Sequence, residues 1–175
     1  MISIRPARLP EDAAAIGAID TSFVTDRVLD VKVGPDSIRL TPRLLKAPLT
    51  KRFALDDLNA PDRLWDHGFA AVDGGACRGF AAVGLQAWNR RLVLWGLYVD
   101  APFRRLGLAA RLVDRALEHG QDVGASHLWL ETSCVNTPAV EAYRRLGFEL
   151  CGADAMLYAS TPAAGEVALF FARPI

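Results

Sequence analysis

Arg104-Arg105-Leu106-Gly107-Leu108-Ala109 lies between an apolar run, Leu92 to Val99, and a helical pattern carrying Leu112, Val113, Ala116 and Leu117 on one face. Two arginines and two small residues at the start of a helix suit the binding of an anion. The first amides of a helix have no carbonyl partner inside it, and the helix dipole leaves positive charge there. Small side chains at Gly107 and Ala109 let a phosphate reach those amides, so a diphosphate is the fitting ligand. Two other phosphate turns fail on composition. A P-loop needs a Gly-Lys-Ser/Thr ending, and a dinucleotide fingerprint needs glycines at other spacings with an acid ending a second strand. An ordinary strand-to-helix turn remains the plain alternative.

A second block, Asn136 to Phe148, follows the strand-like run His127-Leu128-Trp129-Leu130-Glu131-Thr132. Pro138 suits a first helical turn and Gly147 a C-terminal cap, which frames a short helix. On it, Tyr143 carries a phenol that either donates a proton or packs as a core aromatic. Glu131 carries a carboxylate that either accepts a proton, directly or through water, or pairs with Arg144 or Arg145. Desolvation of the acceptor could also remove the need for a base. Cys134 has no histidine adjacent in sequence to activate it, which argues against an acyl-enzyme.

Arg104, Gly107 and Ala109 fill the pattern Arg/Gln-x-x-Gly-x-Gly/Ala, and Asn136, Ala142, Tyr143 and Leu146-Gly147-Phe148 follow in order. Together they resemble the GNAT superfamily of N-acetyltransferases. The resemblance implies acetyl-CoA as co-substrate, no metal, and direct acetyl transfer to an amine. It implies that Leu97, Tyr98 and Val99 meet the pantetheine arm and that Arg104, Arg105, Leu106, Gly107, Leu108 and Ala109 meet the diphosphate. Asn136 and Tyr143 border the acetyl end, with Tyr143 as general acid toward the departing thiolate and Glu131 as the candidate base. It also implies that residues 20–26 wall the acceptor site.

A narrower resemblance covers most of the chain. Asp20 to Asp26, Pro48-Leu49-Thr50-Lys51, Trp88-Asn89-Arg90-Arg91-Leu92, the His127 run, Ala142-Tyr143-Arg144-Arg145 and Leu150-Cys151-Gly152 look like the streptothricin (nourseothricin) acetyltransferases. That implies a small-molecule amine as partner and a role in antibiotic resistance. Where the central strand of those enzymes carries acids, this chain has Trp95, Gly96 and Tyr98. The difference implies an acceptor less charged than streptothricin, its apolar body on Trp95 and Tyr98 and its ammonium met by Asp26 and Glu131. Asp56 or Asp57 would be the source of replacement carboxylates. Two alternatives stand beside this: an acetyl-CoA-binding module with a decayed acceptor site, and a protein or peptide N-acetyltransferase.

The elements that must position these groups follow from periodicity. Ile2 to Arg5 alternates as a strand, and Pro10-Glu11-Asp12 opens a helix. Val28–Val33 and Ser37–Leu40 form a hairpin around Gly34-Pro35-Asp36, with Pro42 and Pro48 confining it to an edge or flap. Ala54 to Asp66 reads as a loop or short helix. Phe69–Val72 and Gly79–Leu85 pair around Asp73-Gly74-Gly75. Gly96 in the central strand marks a bulge or a close backbone approach. Phe148 to Tyr158 and Val167 to Phe171 close the chain as strands. The expected fold is α+β: a GNAT fold in a single domain, 1–175. Its sheet is mixed, mostly antiparallel, of six to seven strands, with helices on both faces and a splay at the central strand.

Composition bounds the rest. The 175 residues carry 20 Lys plus Arg and 20 Asp plus Glu, so no global field recruits nucleic acid or an anionic membrane. No apolar run approaches ~18 residues, and Met1 to Arg5 lacks a signal core, which points to the cytoplasm. Cys77, Cys134 and Cys151 read as reduced thiols, and His67, His119 and His127 are scattered rather than set as metal ligands. Either a monomer or a homodimer fits.

Overall fold

The computed structural model describes residues 1–55 and 57–175; the carboxylate expected of Asp56 lies outside the described residues. Strand β1 (Ser3–Pro6) leads to helix α1 (Ala13–Gly17), then β2 (Phe23–Val33), β3 (Ile38–Lys51), β4 (His67–Asp73), β5 (Ala76–Gln86) and β6 (Arg91–Val99). Helix α2 (Leu108–Asp122), β7 (His127–Ser133), α3 (Thr137–Arg145), β8 (Glu149–Asp154) and β9 (Ala168–Pro174) complete the order. Seven strands form one sheet in the order β1-β4-β5-β6-β7-β9-β8, and β2 and β3 form a separate two-stranded ribbon. The β1–β4, β4–β5, β5–β6 and β8–β9 ladders are antiparallel, and β6 runs parallel to β7. The expected mixed, mostly antiparallel α+β sheet is what the chain forms. Among the described residues no helix is long and apolar enough to cross a membrane.

Contacts group the chain into two units, one of residues 1–22, 52–129 and 174–175, the other of residues 23–51 and 130–173. In the first, α2 buries Leu108, Leu112, Val113, Ala116 and Gly120 along one stripe, the helical spacing read from the sequence. Gly79 on β5 makes room for that stripe. A Cβ there would stand 3.0 Å from Leu112 Cδ1 and 3.1 Å from the Tyr98 carbonyl oxygen. Another cluster of the same unit joins Ile16, Ile19, Leu58, Trp65 and Phe80, with Tyr98 packed against it. Trp65 meets Phe80 edge-on at 5.6 Å, and its indole N–H donates to Asp57 at 2.8 Å. Asp57 is thereby committed to the core wall.

The central strand carries the bulge that Gly96 suggested. Ala82 pairs with Gly96 and Val83 with Leu94, so Trp95 is the extra residue. The reason for glycine at 96 is the neighbouring ring: a Cβ would lie 2.8 Å from Tyr98 Cε2. Tyr98 folds back along its own strand over Gly96. On the other side of β6, the parallel ladder pairs Arg91 with His127, Leu92 with Leu128 and Val93 with Trp129.

In the second unit, the β2–β3 ribbon holds the start of α3. The Thr137 hydroxyl donates to the Arg27 carbonyl at 2.5 Å and lies 3.0 Å from Thr25 Oγ1. The Leu29 N–H donates to the Cys134 carbonyl at 3.0 Å. Leu130, Val140, Phe148, Leu169 and Phe171 are buried, each contributing about 1.5–3 kcal/mol relative to exposure. Several elements differ in extent from the sequence reading. β2 begins at Phe23 rather than Val28, and β3 runs through Pro42 and Pro48 to Lys51. A separate two-stranded ribbon tolerates those prolines because its outer edges pair with no further strand of the ribbon. Helix α1 begins only at Ala13 because the Asp12 carboxylate is taken by Arg5, at 2.6 and 2.8 Å, and by the Arg8 N–H at 2.7 Å. β8 ends at Asp154 because its carboxylate turns the chain by accepting from the N–H groups of Met156 and Leu157. The described part of 54–66 forms turns rather than a helix.

Candidate active site

The diphosphate turn is built from backbone. Gly107 caps α2 with φ +77°, a left-handed conformation that glycine adopts without the steric cost of a Cβ. The first intrahelical bond runs from the Arg111 N–H to the Gly107 carbonyl, so the amides of Leu108, Ala109 and Ala110 have no helical acceptor. A Cβ built on Gly107 meets nothing within 4 Å: the space beside those amides is open. Arg105 is exposed and also lies at positive φ, +62°, which turns the chain ahead of the helix. Leu106 is exposed and Leu108 buried, its side chain anchoring the helix over Gly79. The arrangement fits an anionic diphosphate.

Arg104 does something the sequence did not suggest. Its guanidinium donates to three carbonyls, those of Val99 at 2.9 Å, Ser22 at 2.6 Å and Asp20 at 2.6 Å. Its donors tie the turn to residues 20–22 and to the end of β6. Arg105 is thus the arginine with an exposed side chain next to the open amides. On β6, Leu97, Tyr98 and Val99 pair with Ala81, Phe80 and Gly79 of β5. Trp95 is 41% exposed, whereas Tyr98 is half-buried, and burial raises its phenol pKa above the ordinary range with the charge of Asp57 adding to the rise.

The second unit holds Asp26, Glu131, Asn136 and Tyr143. Asn136 is buried and caps α3, its side-chain Oδ1 accepting the Ala139 N–H at 3.3 Å. Tyr143 is half-buried, its ring edge-on to Phe148 at 5.8 Å and tilted against Phe171 at 6.4 Å. Its ring body is therefore packed, as the core alternative required. Glu131 is half-buried on β7 and accepts a hydrogen bond from the Tyr158 hydroxyl. Neither Arg144 nor Arg145 is its partner: Arg145 lies 4.0 Å from Glu141 instead. Burial raises the Glu131 pKa, and the phenol donor partly opposes that rise.

Asp26 is exposed, 3.2 Å from Arg27, which in turn lies 3.9 Å from Glu141. These residues, with Val24, Thr25, Pro48, Thr137 and Pro138, line an open pocket of about 380 Å³. Cys134 is buried and its sulfur accepts the Val167 N–H at 3.3 Å, a packing role that agrees with the absence of an activating histidine in the sequence. The chain reading missed Tyr158, Glu166, Lys51 and Ser133. Glu166 accepts from the Lys51 ammonium and from the Ser133 hydroxyl. No local spacing relates these positions: Ser133 ends β7, Lys51 ends β3, and Tyr158 and Glu166 lie in the turns between β8 and β9.

Comparison with known proteins adds to this geometry. The model of the acetyltransferase (GNAT) family matches residues 41–148. The streptothricin acetyltransferase of Streptomyces lavendulae is 40% identical, with 97% of this chain and 93% of the relative covered. The crystal structure of nourseothricin acetyltransferase is 40% identical with a TM-score of 0.87, covering 99% of this chain and 98% of that one. A protein of Bacillus anthracis str. Ames, solved in complex with acetyl coenzyme A, is alike in fold, with a TM-score of 0.83 at 22% identity over 100% of this chain and 98% of that one.

Proposed function

Because the chain belongs to the acetyltransferase (GNAT) family, we propose that it acetylates a primary amine of a cationic small molecule of the streptothricin kind, in the cytoplasm where acetyl-CoA is available. The reaction class is acetyl-CoA-dependent N-acetyl transfer. The observation that carries the choice of acceptor is the 40% identity to a streptothricin acetyltransferase along nearly the whole of both chains. The consequence for the cell would be resistance to such an antibiotic.

Acetyl-CoA supplies the acetyl thioester; this chain's residues do the rest. Arg105 and the open amides of Leu108, Ala109 and Ala110 take the diphosphate, with Gly107 keeping the approach clear. The strand backbone of Leu97 and Val99 lines the path of the pantetheine arm. An alkylamine titrates near ~10.4 and arrives as ammonium. Glu131 takes its proton; a buried carboxyl holds a proton more readily than an exposed one, which brings base and amine closer in pKa. Tyr143 gives a proton to the departing thiolate, whose thiol titrates near ~8.5. Asp26 and Glu141 in the pocket of the second unit meet further positive charge.

The sequence alone favoured a weakly charged acceptor lying on Trp95 and Tyr98. Tyr98 lies over Gly96 and against the core cluster, which leaves Trp95 alone as an exposed face on β6. Carboxylates elsewhere, Asp26, Glu131, Glu141 and Glu166, support a polycation despite the acids missing from the central strand. The test is thiol release from acetyl-CoA with streptothricin, an aryl-alkylamine and a peptide amine side by side. The highest kcat/KM is expected for streptothricin. A preference of tenfold or more for either of the others would overturn the assignment of the acceptor.

A further inference from the structure

The segment joining β8 to β9 is a chain of closed turns. Asp154 accepts from the N–H groups of Met156 and Leu157 at 2.7 and 3.1 Å. The Ala159 N–H reaches the Met156 carbonyl, that of Thr161 reaches Tyr158, that of Ala164 reaches Thr161 and that of Glu166 reaches Ala163, each at 3.0 Å. The Thr161 hydroxyl also donates to the Tyr158 carbonyl at 2.9 Å. Tyr158 is thus held from both sides, with its hydroxyl on Glu131. The far end of the segment delivers Glu166 to Ser133 and Lys51. Ser133 stands two positions beyond Glu131 on β7, hence on the same face. A carboxylate that must take a proton from a substrate needs a fixed direction and a charged form, and a phenol donor supplies both.

We propose that Tyr158 is a positioning residue, aiming the Glu131 carboxylate and keeping it ionised so that it can accept the proton of the acceptor ammonium. This rests on the reading of Glu131 as the base. A hydrogen bond from a neutral donor favours the carboxylate over the acid. Here it works against burial, which favours the acid. The groups that act on the pair are few. Burial first, then Glu131, and to a lesser extent Glu166 and Cys134, push the Tyr158 phenol up, and Glu166 is balanced by Lys51. The phenol therefore stays protonated, a donor at every pH at which the reaction would run.

The test compares Tyr158→Phe, Glu131→Gln and the double variant by the pH profile of kcat/KM, with acetyl-CoA affinity and thermal unfolding measured alongside. Tyr158→Phe should move the acid limb about one pH unit upward, because the ionised carboxylate loses its donor, and leave the Kd of acetyl-CoA as in the parent. The double variant should be no slower than Glu131→Gln, since Tyr158 acts through Glu131. Should Tyr158→Phe unfold, 3-fluorotyrosine at position 158 keeps ring and hydroxyl, and its stronger donor should move the acid limb downward. If Glu131→Gln is impaired while the Tyr158 variants keep the parent profile, the positioning role is overturned and the base reading stands. If Glu131→Gln turns over like the parent, both fall.

Discussion

Replacing Gly107 separates the turn's structural work from its work on a ligand. At φ +77° an alanine carries the left-handed penalty of about 1–2 kcal/mol. Nothing within 4 Å of the new Cβ adds a clash, so Gly107→Ala should lower the melting temperature by about 2–8 °C and no more. Its effect on binding should be larger. The methyl occupies the space beside the amides of Leu108, Ala109 and Ala110, and a charge-assisted hydrogen bond contributes about 1.5–3 kcal/mol. Loss of two such bonds to the diphosphate corresponds to about 10²–10⁴-fold in Kd. Gly107→Glu adds a negative charge at the positive end of α2 and should abolish binding at accessible concentrations. Calorimetric titration with acetyl-CoA, paired with thermal unfolding, reads both quantities on the same samples. A Gly107→Glu protein that binds acetyl-CoA with the parent Kd would refute the assignment, leaving the turn an ordinary helix start.

Other outcomes follow from single contacts. Tyr143→Phe should keep the Kd of acetyl-CoA and lower kcat by ~10²-fold or more, the scale for losing a positioned acid; parent turnover would reduce Tyr143 to the packing seen against Phe148 and Phe171. Asp12→Asn should destabilise the fold by about 2 kcal/mol at neutral pH. The Arg5 hydrogen bonds hold the Asp12 carboxyl at about 2, below its ordinary 3.8. That stability is complete above the unfolded value and is lost as pH falls through the folded one. Urea unfolding of parent and variant should therefore converge between about pH 4 and pH 2, and a gap that persists at the acid end would contradict the ion pair as its source.

Local chemistry made the fold legible. The Gly107 turn, the Pro138 and Gly147 ends of α3 and the stripe from Leu108 to Ala116 are all short-range signals, and each marks an element as it stands. Gly96 marks a bulge or a close backbone approach, and the register places a bulge beside it. The cause, the Tyr98 ring folded onto its own strand, involves a side-chain rotamer that no spacing encodes. The same limit applies to Arg104, where a motif position points to a ligand and the guanidinium finds carbonyls 82 and 84 positions away in two of its three bonds. It applies again to Glu131. Its two alternatives from sequence are a base and a partner of Arg144 or Arg145, and the hydrogen bond it makes comes from Tyr158, 27 residues on. Charges near in sequence on a strand and a helix have no reason to face each other, and the partner of Glu131 comes instead from the turns between β8 and β9, which no spacing along β7 announces.

The three carbonyls gathered by Arg104 have a consequence for the order of events in turnover. A planar guanidinium cannot move toward one acceptor without pulling on the others. A ligand that stiffens 105–109 therefore stiffens Asp20 to Ser22 through the same group, and any load on residues 20–22 is returned to the turn by thermodynamic reciprocity. With acetyl-CoA on the turn and the amine beside residues 20–22, as proposed, occupancy by one and readiness for the other would be linked quantities. The linkage would show as an acceptor affinity that improves once the donor is bound, and as a preference for donor first in the sequence of binding. A lysine at 104 would keep the charge but, with a single ammonium in place of the fork, would let the two sites fill independently.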